Sequence, residues 1–171
     1  MLTRPRYIKS PSVQMLERLE LEAYRREHPT IPESAVVPTK HRDDTANGLT
    51  RCIIRYLQLK GHQAERINTM GRPIDTRRTY NVAGCLRQVG SLRWGKSTST
   101  AGSADISAVV FGRAVKVEVK AGNDRQSSVQ RSYAKAVENA GGLYVVAHNF
   151  EDFVGWYGIH FGDHGKEVRD V

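Results

Sequence analysis

Two strand-like runs, 104–111 (Ala-Asp-Ile-Ser-Ala-Val-Val-Phe) and 114–120 (Ala-Val-Lys-Val-Glu-Val-Lys), carry the residues best suited to chemistry: Asp105, Glu118 and Lys120. Both runs are short, β-branched and bounded by glycines, with Gly112-Arg113 as a tight connection, so they read as a hairpin. Strand side chains alternate between faces, which sets Lys116, Glu118 and Lys120 on one side and Val115, Val117 and Val119 on the other. A face holding both signs of charge, opposite an acid at the start of the partner strand, suits Mg²⁺, a hard ion that takes carboxylates, carbonyls, waters and phosphate oxygens. Asp105 and Glu118 would be its ligands, with the Val119 carbonyl completing the protein's share of the shell. Lys120 would stand near an attacking water or a scissile phosphate and stabilise developing negative charge. Taken alone, the three residues are better explained as a solvated surface hairpin, the usual setting of charged strand faces.

The surrounding chain changes that balance. Gly102-Ser103-Ala104-Asp105, Glu118-Val119-Lys120, Gln130 with Tyr133 on the next helix, and Gly141-Gly142 before a final apolar strand stand in a fixed order. Together they resemble the PD-(D/E)XK nuclease superfamily, most closely its VRR-NUC branch of repair, phage and mobile-element proteins. Arg66-Ile67-Asn68 followed by Gly71 adds to the resemblance, which spans residues 44–150. It implies a restriction-endonuclease-like α/β fold, a mixed β-sheet flanked by helices with an αβββαβ core. It also implies DNA as substrate, Mg²⁺ as cofactor with Mn²⁺ able to substitute, and a catalytic set of Asp105, Glu118, Lys120 and Gln130. Ala104 stands where the superfamily's proline would be. Many relatives carry a metal-binding acid on the first helix; this chain has Asn47 there, with Asp43 and Asp44 just before it, and which of the three is a ligand, if any, stays open.

Gln130 has two readings. Ser127-Ser128-Val129-Gln130 fits a capping box, in which Ser127 accepts from the Gln130 amide and Gln130 reaches back. The resemblance instead places this glutamine beside the metal, orienting a water or a phosphate oxygen.

A net charge of +8 in 171 residues, with a pI near 9.7, calls for a polyanionic partner. The charge is concentrated: residues 60–100 hold Lys60, Arg66, Arg72, Arg77, Arg78, Arg87, Arg93 and Lys96 against Glu65 and Asp75 only. Arg66 and the basic residues after it, with Arg125 beyond the hairpin, form the expected DNA-binding set, interleaved with Tyr80 and Trp94. Gly90 to Ser97 also satisfies the P-loop pattern, which makes a nucleotide hydrolase the second enzymatic reading. Ser-Thr-Ser-Thr-Ala-Gly-Ser after Lys96 is a poor helix start, whereas a phosphate cradle needs a helix there. A DNA-binding module of the same fold without cleavage is the non-enzymatic alternative.

The elements that must position these residues follow from period and punctuation. Ser10-Pro11 opens a helix with Met15, Leu16, Leu19 and Ala23 at helical spacing, ended by Pro29; it is expected to dock or dimerise. Prolines 29, 32 and 38 mark a linker, so residues 1–43 form an N-terminal helical appendage. A second helix over 45–60 turns Leu49, Cys52, Ile53, Tyr56 and Leu57 inward, with Gly61 as its stop. Residues 62–68 suit a first strand, and 86–95 are strand-like. A helix over 127–140 places Val129, Tyr133, Ala136, Val137 and Ala140 at apolar spacing, and 143–147 make the last strand. Asn149 caps a closing helix with Phe150, Phe153 and Trp156. The nuclease-like domain is thus 44–158, and 159–171 an acidic tail in which His160 and His164 lack zinc-ligand partners. Cys52 and Cys85 sit in apolar-looking contexts and are expected as reduced core thiols of a cytoplasmic protein. No apolar run is long enough to span a bilayer, so no membrane partner is expected. Symmetric cutting of a two-fold substrate would require a homodimer.

Overall fold

Ser10 accepts a hydrogen bond from the Val13 amide at 3.3 Å, and with Pro11 at the first helical position it starts helix α1, Pro11–Glu27. This is one of four α-helices in a computed structural model that describes residues 7–68, 71–95, 99–122 and 124–162. Lys96 and Ser97 of the P-loop-like string, and His164, lie outside the described residues. Helix α2 (Ala46–Leu59), capped by Thr45, buries Leu49, Cys52, Ile53, Tyr56 and Leu57, the stripe its spacing predicts.

The central sheet has four strands in the order β1 (Gln63–Arg66), β6 (Ile106–Val110), β7 (Arg113–Val119), β8 (Leu143–Ala147). Strand β6 is antiparallel to both of its neighbours, β1 and β7, and β8 runs parallel to β7, so the sheet is mixed. Helix α3 (Ser128–Asn139) is the crossover between β7 and β8, and α4 (Phe150–Phe161) closes the described chain. The β7 valines, Val115, Val117 and Val119, share one apolar core with α2 and with Phe150, Phe153, Tyr157 and Phe161 of α4. Val13 and Leu16 of α1 are fully buried in that core, so the N-terminal helix docks. Helix α3 covers the opposite face, since its Gln130 reaches Glu118.

Several elements depart from the sequence-based expectation. The hairpin turns at Phe111-Gly112, not Gly112-Arg113, because Val110 pairs with Arg113. Both turn residues take positive φ, 46° and 76°, the two-residue geometry that matches strand twist. The Phe111 ring packs edge-on against His62, 4.7 Å between centroids. Helix α3 presents Gln130, Tyr133, Ala134 and Val137 toward the body, leaving Val129, Ala136 and Ala140 exposed. Helix α4 continues to a buried Phe161, so the first three residues of the expected tail are helical. Cys52 is buried, but Cys85 is exposed.

The largest departure is the basic excursion. Residues 72–95 form a two-stranded ribbon, β2 (Arg72–Asp75) against β5 (Leu92–Gly95) and β3 (Arg78–Val82) against β4 (Cys85–Val89). Every residue from Arg77 to Trp94 is exposed. No helix among the described residues is long and apolar enough to cross a membrane.

Candidate active site

Strand β6 begins just after Asp105, β7 ends just before Lys120, and β8, parallel to β7, ends at Ala147, so three strand ends meet on one side of the sheet. Ile106 pairs with Val117, and one step further along the same register sets Asp105 beside Glu118. The Val119 amide donates to Asp105 Oδ2 at 2.9 Å, and the Lys120 amide to the Ala147 carbonyl at 2.9 Å. These bonds tie the acids to the sheet rather than to a loop. The approach to Asp105 depends on Gly102, which has φ 75° and whose missing Cβ would lie 2.8 Å from the Val129 carbonyl. Only glycine lets this turn press against the start of α3.

Glu118 is 2% exposed and Lys120 7%, which settles that this strand face is not a solvated surface. Lys120 Nζ lies 3.2 Å from Glu118 Oε1 and 3.0 Å from Asp124 Oδ2. Gln130 Nε2 donates to Glu118 Oε1, and the Tyr144 hydroxyl lies 3.4 Å from Glu118 Oε2, a weak contact. Burial, and then the nearby Asp105 charge, push the Glu118 carboxyl above its ordinary range despite the Lys120 ammonium. For Lys120, burial works against the charge, but Asp124 and Glu118 outweigh it and raise its pKa. Tyr144 is pushed up to about 12, mainly by burial.

Asp105, Glu118, Val119, Lys120 and Gln130 therefore lie together; the link the structure shows through Val119 is its amide to Asp105, not the carbonyl expected as a ligand. Gln130 forms the capping box and, with the other end of its amide, reaches Glu118. Its Oε1 accepts the Ser127 amide at 2.8 Å in a complete capping box, while Nε2 reaches Glu118.

The first-helix candidates have other partners. Asn47 lines a cavity of about 470 Å³ with Lys40, Arg42, Asp44 and Arg51. Asp43 accepts from the Tyr7 hydroxyl at 2.8 Å and the Phe150 amide at 3.1 Å, which joins the chain's start to α4. Asp44 pairs with Arg42. Of the basic set, Arg66, Arg125, Arg72, Arg78, Arg87 and Arg93 are exposed, whereas Arg77 is held in a forked pair with Asp75 at 2.7 and 2.9 Å. Lys96 lies outside the described residues. The string from Gly90 to Gly95 is ribbon, not a phosphate cradle: Leu92–Gly95 is a strand, and the next helix among the described residues is α3.

Sequence reasoning missed Asp124, Tyr144 and Ser103. Tyr144 carries a faint signal, one polar aromatic in an apolar strand whose register puts it opposite Lys116. Asp124 carries none, since it sits in the connection after β7. Ser103 Oγ, two residues before Asp105, is buried without a hydrogen-bond partner among the described residues, as is Gln126 Nε2.

Two neighbouring carboxylates, one shifted upward by its burial and then by the other's charge, are a donor set that a hard dication fits, since the cation offsets both the lost solvation and the repulsion. No group of three or more His, Cys, Asp or Glu side chains converges among the described residues. Two carboxylates still leave room in a Mg²⁺ shell for waters and phosphate oxygens, the usual habit of this ion. No protein-family model matches this chain, and no curated protein matches it.

Proposed function

We propose that this chain is a divalent-metal-dependent endonuclease that hydrolyses phosphodiester bonds in DNA, on the plan of the PD-(D/E)XK superfamily and its VRR-NUC branch. The observation that carries the reading is the cluster of buried Glu118 and Lys120 with half-buried Asp105 at the joined ends of β6 and β7, met by half-buried Gln130 from α3. The order α2, β1, the β6–β7 hairpin, α3, β8 agrees with a restriction-endonuclease-like core.

Asp105 and Glu118 would hold Mg²⁺, which when bound polarises a phosphoryl oxygen and lowers the pKa of a coordinated water. Glu118 is held for that role by Gln130 and Lys120, so little reorganisation accompanies catalysis. Lys120 brings a cation whose positive form is favoured by its acidic neighbours; near the scissile phosphate it offsets charge that develops in the transition state. The exposed arginines supply sequence-independent contacts to the DNA backbone, which suits selection by DNA shape, as at a flap, fork or junction.

The test is incubation of the pure protein with supercoiled, linear and branched DNA in Mg²⁺ or Mn²⁺ and in chelator. Metal-dependent cleavage with 5′-phosphate or 3′-phosphate ends is expected. Tight DNA binding without cleavage under any of these conditions would replace the proposal with a binding module of the same fold.

A further inference from the structure

The ribbon formed by residues 72–95 separates its charges by face. Asp75 pairs with Leu92 and Arg78 with Val89, with two residues on each strand between these pairs, so no residue is inserted at the break. At the break the Ser91 amide donates to the Thr76 hydroxyl at 3.1 Å and Gly90 takes φ 109°. The Asp75 carboxylate pairs with the Arg77 guanidinium and also accepts the Arg77 backbone N–H at 2.9 Å, a local turn that twists the ribbon here while the pairing on either side stays in step. Directly opposed residues in an antiparallel pair share a face. One face therefore holds Arg72, Arg93, Arg78, Arg87 and Tyr80, with no acid. The reverse face holds Asp75, Arg77, Thr79, Gln88, Asn81 and Trp94, and its single arginine is already neutralised.

The ribbon leaves the sheet after Arg66 of β1 and returns at Asp105, where the Ile67 amide donates to the Asp105 carbonyl at 2.8 Å. The two segments that flank the ribbon in sequence are thus joined at the first residue of the candidate active site. The eleven positions from Arg72 to Val82 extend about 35 Å at the usual strand rise, close to one turn of B-DNA. The major groove of B-DNA admits a two-stranded β-ribbon; the deep, narrow major groove of A-form RNA does not. A second copy of this chain is a poor occupant, because symmetric pairing would bring four arginines against four arginines.

We infer that the ribbon is a duplex-DNA arm, which lays its Arg72–Arg78–Arg87–Arg93 face into the major groove and leads the duplex toward Asp105. The inference rests on DNA being the partner proposed above, but it concerns binding and not hydrolysis.

The experiment measures binding of the full chain to a fluorescent DNA duplex and to an RNA duplex of the same sequence, in chelator, across a range of salt. Arg78→Gln/Arg87→Gln and Thr79→Glu/Gln88→Glu each lower the charge by the same amount at adjacent positions on opposite faces. Arg72→Gln/Arg93→Gln repeats the test on the inner half of the arm. The arginine-face variants should lose about tenfold in DNA affinity near physiological salt, and the slope of log K against log salt should fall by about two. The reverse-face variant should stay within about threefold, and wild-type affinity for the RNA duplex should be well below that for DNA. Equal losses from both faces, no loss from either, or equal affinity for both duplexes would overturn the inference. Cleavage in Mg²⁺, scored separately, decides the hydrolytic reading: binding with these face effects but no cleavage sinks that reading alone. Cleavage with no face effect sinks the arm alone.

Discussion

Gln130 joins two structural tasks in one side chain: its amide oxygen accepts the Ser127 backbone N–H at 2.8 Å and closes the cap of α3, while its amide nitrogen donates to the buried Glu118 carboxylate. The helix start and the candidate metal ligand are thereby held in fixed relation. Ser127 takes part only in the cap, through its hydroxyl 3.2 Å from the Gln130 amide.

That division gives the first prediction. Ser127→Ala removes one capping bond and should cost about 1 kcal/mol of stability with kcat nearly unchanged. Gln130→Ala should cost a similar amount in stability but also lower kcat by roughly 10–100-fold, since Glu118 loses its orienting donor. Thermal melts and single-turnover cleavage on both variants check this. Equal kcat in the two would reduce Gln130 to a cap.

Removing either acid should separate binding from hydrolysis. Asp105→Asn and Glu118→Gln leave the arginines untouched while weakening the carboxylate pair, so cleavage should fall by roughly 10²–10³-fold or more with DNA affinity kept or improved. Glu118→Gln also relieves a buried carboxylate that burial and Asp105 disfavour, so its Tm without metal should not drop. Wild-type cleavage by either variant would refute the assignment of the pair.

Lys120 should matter to turnover more than to affinity. Lys120→Met keeps the aliphatic stem and removes the ammonium held between Glu118 and Asp124. We expect kcat to fall by about 10²-fold and the Kd for DNA to stay within about threefold. Matching losses in both would make Lys120 a DNA contact.

Stability should depend on His62 in acid. Burial, then the Lys60 charge, lower its pKa below the usual value; its ring nitrogen lies 2.8 Å from the Tyr157 hydroxyl. The folded chain therefore binds a proton at His62 less readily than the unfolded chain. The stability involved is present above the unfolded pKa of about 6.5 and is lost as pH falls through the lower folded value. Denaturant midpoints between pH 7.5 and 5 should fall more steeply in wild type than in His62→Gln; parallel curves would show that other groups govern the acid limb.

Much of the architecture was determined locally and could be read from the chain. Ser10-Pro11, Thr45, Ser127 and Asn149 all act as helix caps, because a short polar side chain before a helical run satisfies amides that have no other partner. The alternation in Ala-Val-Lys-Val-Glu-Val-Lys set the valines on one side of β7 and Glu118 with Lys120 on the other, since the pleat fixes a period of two. What the sequence could not determine are relations between distant residues. Apolar spacing on α3 pointed to Val129, Tyr133, Ala136, Val137 and Ala140; Tyr133 and Val137 do face the body, but the inward stripe is completed by Gln130, which reaches Glu118, and Ala134. Asp124 is only four residues beyond Lys120, but it lies outside any helix or strand, so no period announces their ion pair. Cys85, apolar by its neighbours, is exposed because residues 72–95 fold back on themselves as a ribbon rather than joining the sheet. Only that long-range register, pairing Arg72 with Gly95 and Arg78 with Val89, sorts a run of mixed charge into one arginine face and one neutralised face, because strand pairing is settled by hydrogen bonds between residues far apart in sequence.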